Sequence, residues 1–252
     1  MRIDAIYRYP VKSLSPELLA SVEVRAGAGV PLDRAFAIAR PGSAFRIEQP
    51  RHVPKTNFLT LMRDEALARV STEFDPENQQ LTLRQEDRVV LEARLSDADG
   101  RRALADFLAG LLGLGEDHGL QVVNAPPHMF SDVAEKCLSL INLASLRELE
   151  AAAGCRLDPL RFRANIYFEG TRAWEELDWV GRTLHAGKVE LEVFKPIERC
   201  AAVNVNPETG VRDVNLPRTL MKAFGHVHLG VYALVRSDGR ISVGDELIQQ
   251  EE

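Results

Sequence analysis

The sequence predicts a β-dominated α+β protein, and three observations carry that reading. Short segments that alternate apolar and polar residues recur along the whole chain, the period-2 pattern of half-buried strands. Turn-forming Gly, Pro, Asn and Asp residues separate these segments at short intervals. Helical periodicity is confined to a few short stretches.

Taken in order, Ile3–Tyr7, Ser21–Arg25 and Ala35–Ala39 read as strands, the last closed by the turn Pro41-Gly42. Leu81-Thr82-Leu83 and Val89-Val90-Leu91 frame the charged stretch 85–88 as a hairpin, and Asp75-Pro76-Glu77-Asn78 supplies a turn before it. Residues 1–95 are therefore expected to form a small antiparallel β-barrel or sheet domain, followed by a second unit over 96–252. That unit opens with Leu104, Phe107, Leu108 and Leu111 at helical spacing, with Asp97 or Asp99 as cap and Gly113 as stop. Gly115–Ser131 reads as a connection. Beyond it, Cys137–Leu143 is strand-like, and Ser145-Leu146-Arg147-Glu148 has capping-box spacing for a helix ending at Gly154. Arg163–Phe168 and Val189–Val193 read as strands, Pro217 as the start of a short helix to Phe224. Val231–Arg236 and Arg240–Val243 read as a closing hairpin.

Composition excludes several functions. Lys and Arg total 31 against 37 Asp and Glu, a formal charge of −6, which argues against the broad basic track of a nucleic-acid binder. A pocket of a few converging basic residues stays compatible with it. Neither a signal pattern nor an apolar run near the roughly 20 residues of a bilayer span occurs, so a cytoplasmic protein without a membrane partner is expected. The three cysteines, Cys137, Cys155 and Cys200, fit a reducing compartment and lack zinc or iron–sulfur spacing.

Four turns hold candidate chemistry. Pro10 stiffens the exit of the first strand, so Lys12 and Ser13 can present an ammonium and a hydroxyl to an anion, although a solvated turn lysine is the simpler use. Asp33-Arg34 precedes a strand; it can be an exposed charge pair, or Arg34 can offer its planar fork to a phosphate. If 161–165 is extended, Arg161, Arg163 and Asn165 share a donor-rich face. Cys200 comes after a strand, with Arg199 adjacent and Lys195 nearby, and cationic neighbours suit a sulfur that ligates metal or attacks. Cys137 and Cys155 look structural. Ser145 can cap a helix or contact a phosphate at that helix's N-terminus. His226 and His228 lack a metal partner at ligand spacing, and Trp174 and Trp179 are read as packing residues.

Six segments together carry a resemblance: YPVKSL at 9–14, DRAFAI at 33–38, INLASL at 141–146, RFRANI at 161–166, ERCAAVNVNPETG at 198–210 and GVYALVRSDGRISVGD at 230–245. In order and spacing the chain is similar to MOSC-superfamily proteins with an N-terminal β-barrel domain. That group includes the YcbX proteins, the mitochondrial amidoxime reducing components and the C-terminal part of molybdenum cofactor sulfurases. The resemblance implies a MOSC β-barrel in the second half and a bound molybdenum–molybdopterin cofactor. It implies Cys200 as catalytic metal ligand, with Lys12, Ser13, Arg34, Ser145, Arg163, Asn165 and Arg199 holding the pterin and its phosphate. Two departures stand out: Ala164 replaces a usual proline, and residues 44–59 do not match the family pattern, so no substrate contact is carried over from them.

The implied activity is reduction of small N-hydroxylated compounds (hydroxylaminopurines, hydroxylamines, amidoximes) to amines. A ferredoxin-type cysteine cluster is absent from this sequence, so electrons are expected from a separate reductase. A proton donor is needed, and Asp132 or Glu198 could serve, on position alone. The alternative is a non-catalytic carrier or maturation protein holding the cofactor, or a sulfur atom on Cys200. A scaffold in which Cys200 is only a packed thiol is the third.

Overall fold

Period-2 alternation becomes burial where the strands meet. Along Val189–Glu198 the side chains of Val189, Leu191 and Val193 are fully buried, while Glu190 is exposed. The computed structural model describes residues 1–250. In chain order its strands are β1 (Arg2–Arg8), β2 (Glu17–Leu19), β3 (Ser21–Val24), β4 (Phe36–Ala39), β5 (Ser71–Asp75), β6 (Gln80–Gln85), β7 (Arg88–Arg94), β8 (Gln121–Asn124), β9 (Leu138–Asn142), β10 (Ile166–Glu169), β11 (Thr183–Ala186), β12 (Val189–Glu198), β13 (His228–Val235), β14 (Gly239–Ser242) and β15 (Leu247–Gln249). The helices are α1 (Ala98–Leu111), α2 (Leu143–Ala153) and α3 (Leu216–Phe224).

Eight strands form one curled sheet in the order β15-β11-β12-β13-β9-β10-β1-β2. Its core is built from Ile3, Ile6, Leu138, Leu140, Val231 and Trp179, all essentially solvent-free. Because β1 pairs with β10, the first strand of the chain closes a sheet made mostly by the second half, across the sequence boundary placed at 95. β9 and β10 run parallel and are joined through α2, the crossover that parallel neighbours require. The expected hairpin of the first half forms as β6 and β7, with β5 alongside, and Leu104 and Leu108 of α1 bury against the same core. β4 pairs with β8.

Three local expectations are corrected. The helix read from Ser145 starts earlier: Asn142 leaves β9 and accepts the Ala144 amide, so α2 begins at Leu143 and Ser145 lies inside its first turn. Gly154 ends it in the left-handed region, as the sequence suggests. The strand read from Arg163 starts only at Ile166, because Pro159–Phe162 is a 3-10 turn and Arg163 has φ 54°, so 161–165 has no alternating face. The closing hairpin is not a two-stranded ladder either. β14 pairs with β3, because Ser237 Oγ donates to the Lys188 carbonyl and Asp238 accepts the Ala26 amide, drawing the turn away from β13.

Two irregularities aim the chain at one place. β12 carries register shifts between Val193 and Lys195 and again between Pro196 and Glu198, bulges that bend the strand and re-aim Arg199 and Cys200 beyond its end. Facing it, Gly230 sits in β13 at φ 77°, and a Cβ there would overlap the Leu140 carbonyl. Among the described residues no helix is long and apolar enough to cross a membrane. Gly230→Ala is expected to cost roughly 2 kcal/mol or more, since it forces both a left-handed alanine and a parting of β13 from β9. Urea denaturation monitored by fluorescence checks this.

Candidate functional site

Three non-glycine residues in the left-handed region turn their side chains or neighbours into one cavity: Ser13 at φ 72°, Arg34 at φ 48° and Arg163 at φ 54°. Such conformations are costly and are held by surrounding contacts. After β1, the Lys12 amide donates to the Phe36 carbonyl and the Phe36 amide to the Pro10 carbonyl, which fixes the Lys12-Ser13 turn against β4. Buried Asp33 ties the second turn down: its Oδ1 accepts the Tyr9 amide at 2.8 Å and its Oδ2 accepts from Arg34 Nη1 at 2.5 Å. Arg34 Nη2 then donates to the Arg163 carbonyl at 2.7 Å, joining the second turn to the third. The guanidinium carbons of Arg34 and Arg163 stand 4.6 and 4.4 Å from the ring centroid of fully buried Tyr9, within cation–π range.

Cys200 enters from the opposite wall, half-buried, at the end of bent β12. Its sulfur lies 3.2 Å from Lys55 Nζ, which also donates to Asp132 Oδ2 at 3.2 Å. Asp132 Oδ1 accepts from Lys12 Nζ at 2.6 Å, and Lys12 donates besides to the Phe130 carbonyl. One carboxylate thus bridges two ammonium groups beside the thiol.

The electrostatics are lopsided. Lys12, Arg34, Lys55, Arg163 and Arg199 line the cavity. Asp132 serves both lysines and Asp33 serves Arg34, whereas Arg163 and Arg199 have no ion-pair partner among the described residues. Burial pushes the Arg163 guanidinium down to about 10, and its Nη2 is buried with no hydrogen-bond partner. Burial also pushes the Lys12 ammonium down, against the pull of Asp132. Burial works against Lys55 too, but Asp132 and Cys200 outweigh it and raise the ammonium to about 12. For Asp132, burial would raise the carboxyl, yet Lys12 and Lys55 prevail and hold it well below the usual carboxylate range. Excess buried cation without a matching anion is the signature of a site shaped for an anionic ligand.

The structure brings Lys12, Ser13, Arg34, Arg163, Asn165, Arg199 and Cys200 to this cavity, in differing states of commitment. Asn165 is fully buried, and its amide already accepts from Ser139 N and Oγ and donates to the Tyr7 carbonyl, so it is a wall-builder. Arg199 commits its donors to the Leu229 and Phe162 carbonyls and fixes the Cys200 loop from below. Arg161 lines the cavity but pairs outward with Asp213. Ser145 does not belong here. Its Oγ donates to buried Glu176 and accepts the Trp174 amide within α2's own packing, and burial pushes the Glu176 carboxyl up. The expectation of Asp132 as proton donor is also corrected, since a carboxyl held low by two ammonium groups is ionised at neutral pH and accepts hydrogen bonds instead. Glu198 sits exposed at the rim. Cys155 is exposed rather than structural, and Cys137 is buried in the cavity wall.

Sequence reasoning missed Lys55 and Thr60. Both stand in a stretch with no clean periodicity, carried to the site by the isolated bridge between Ala39 and Phe58, the bond from the Leu59 amide to the Ile38 carbonyl and the bond from Ser13 Oγ to the Leu59 carbonyl. The single hint is Pro54, which starts the 3-10 turn Lys55–Asn57.

Comparisons with known proteins identify the family. The MOSC domain family model matches residues 120–248, and the MOSC N-terminal beta barrel domain model matches residues 1–112. The molybdenum cofactor sulfurase of Drosophila ananassae is 30% identical over 148 residues, covering 54% of this chain and 19% of that protein. Mitochondrial amidoxime reducing component 2 of Bos taurus is 29% identical over 122 residues, covering 44% of this chain and 36% of that protein. The chain therefore spans only about a fifth to a third of these relatives. Among solved structures, YUAD of Bacillus subtilis covers 100% of this chain and 96% of its own at 12% identity, with a TM-score of 0.47.

The charge arrangement has two measurable consequences. Asp132, held in the folded protein below the ordinary 3.8, contributes stability that is present above about pH 4 and lost as pH falls through its lowered value. Asp132→Asn should be less stable at pH 7 and flatter in its acid stability profile, as thermal unfolding between pH 7 and pH 2 will show. Inorganic phosphate should raise the melting temperature of the cofactor-free protein by linkage, and Arg163→Met should remove most of that rise.

Proposed function

Because the chain belongs to the MOSC superfamily, we propose that it is a molybdenum-cofactor-binding oxidoreductase that reduces N-hydroxylated compounds to amines. One observation carries the reading. A half-buried thiol stands at the edge of a cavity whose cations outnumber its carboxylates, with the Arg163 Nη2 donor buried and unpartnered.

The donor set fits the group. A soft sulfur suits molybdenum, and Lys12, Arg34 and Arg163 offer the charge and planar donors that a pterin phosphate takes up. When bound, the molybdenum–pterin group supplies two-electron removal of oxygen from nitrogen. The overall conversion takes R–NHOH, two electrons and two protons to R–NH2 and water, with the electrons from a separate reductase. This chain's own residues do the rest. Cys200 Sγ is the protein ligand, held in direction by the bulged end of β12 and by Arg199, which clamps the Leu229 and Phe162 carbonyls. Arg34 and Arg163 are preorganised on Tyr9, so they bind an anion without first losing side-chain freedom. Asp132 stays ionised and spaces the two lysines, and Met62, Met129 and Tyr232 narrow the cavity with apolar surface. The similarity to an amidoxime reducing component favours substrate turnover over cofactor carriage.

The test is protein purified from a host that makes the cofactor, assayed for molybdenum and pterin and for conversion of an N-hydroxy panel with a chemical reductant. Wild type should retain molybdenum stoichiometrically and turn the panel over. Cys200→Ser should lose more than about 100-fold in turnover together with most of the metal. Metal retained and handed to an apo-enzyme without turnover would establish the carrier instead.

A further inference from the structure

Lys55, Thr60, Leu61 and Met62 line one wall of the cavity, and the function above gives Lys55 and Thr60 no ligand to hold. Lys55 sits at its outer end with its side chain 30% exposed. Its ammonium has three donors; Asp132 and Cys200 take two, leaving one for a ligand. Asp132 accepts from Lys12 at 2.6 Å and from Lys55 at 3.2 Å, so Lys55 is the looser of the carboxylate's two partners. Five residues on, Thr60 is 4% exposed, and its Oγ1 is buried without a hydrogen-bond partner in the same wall.

This wall is held firmly. The Thr60 amide donates to Asp64 Oδ2, and Arg40 grips the same carboxylate. Arg212 donates to the Leu61 and Met62 carbonyls and, through Nη1, to the Ala201 carbonyl next to Cys200. One guanidinium thus spans the cleft and sets the wall's distance from the sulfur. Two donors with spare capacity, on a backbone pinned to the loop that bears the thiol, are arranged to receive an acceptor rather than to hold the fold.

We propose that Lys55 and Thr60 form a substrate-side subsite beside Cys200 that takes small ligands by an anionic or strongly polarised oxygen. Oxygen-bearing nitrogen compounds then enter with their oxygen toward the sulfur. The identity of the substrate rests on the proposed function; the subsite does not, and it is tested on cofactor-free protein.

Full-length protein is alkylated with iodoacetate or with iodoacetamide at one pH, and the rates at Cys200 and Cys155 are read by peptide mass spectrometry. The two reagents differ in charge and both require the same sulfur, so their rate ratio cancels any change in thiolate population. Exposed Cys155 is the internal reference. In wild type the ratio at Cys200 should exceed that at Cys155 by roughly 10-fold, the lower range for a focused charge in a cleft. Lys55→Met should remove most of that preference, the remainder belonging to the other cations of the cavity, and Lys55→Arg should keep it, with the Cys155 ratio unmoved in all three. An unchanged ratio in Lys55→Met, its loss in Lys55→Arg, or no preference in wild type overturns the subsite. None of these results depends on whether the loaded protein reduces N-hydroxy compounds.

Discussion

Positive charge collected in a partly dry cavity, with too few carboxylates to neutralise it, is the constraint on which the rest of this structure depends. Lys12, Arg34, Lys55, Arg163 and Arg199 meet there, and two carboxylates, Asp33 and Asp132, answer for three of them. Mutual repulsion and desolvation oppose that assembly, so it persists only because the scaffold over-determines each cation. Asp33 is pinned by the Tyr9 amide, Arg34 by the Arg163 carbonyl, and Arg199 by two carbonyls of other segments. The left-handed Ser13, Arg34 and Arg163 obey the same logic, with backbone strain placed where function needs a side chain aimed inward.

That constraint also accounts for the sheet topology. The loops after β1, before β4, before β10 and after β12 come from distant parts of the chain, and a curled sheet with β1 paired to β10 is what lets their ends converge. The bulges of β12 turn the Cys200 loop toward them. Arg212 joins the two sides by bonding carbonyls at 61, 62 and 201, so the cleft has a fixed width.

Much of the fold was legible because it rests on local regularities. The alternation of Val189–Val193, the β6–β7 hairpin and the stripe at Leu104 and Leu108 each reflect a single element's periodicity, which neighbours in sequence already encode. The basic turns were legible as turns, and the segments around them as a family resemblance. Ser145 and the 161–165 stretch misled for a physical reason. A serine at capping spacing loses to an asparagine three residues earlier, and an Arg-rich stretch reads as extended until Pro159 imposes a 3-10 turn.

By itself the sequence determined the strand-rich class and which cysteine stands among cations. Only the tertiary structure decided that Lys55 touches that cysteine, that Asp132 lies between two lysines, and that Arg199 and Asn165 direct their polar groups to the protein itself. Those facts depend on groups 26 to 158 positions apart in the chain meeting at hydrogen-bond distance. Spacing along a chain specifies periodicity within an element; it does not specify which loops close over a common cavity, because that is settled by strand order and by the burial of the core between them.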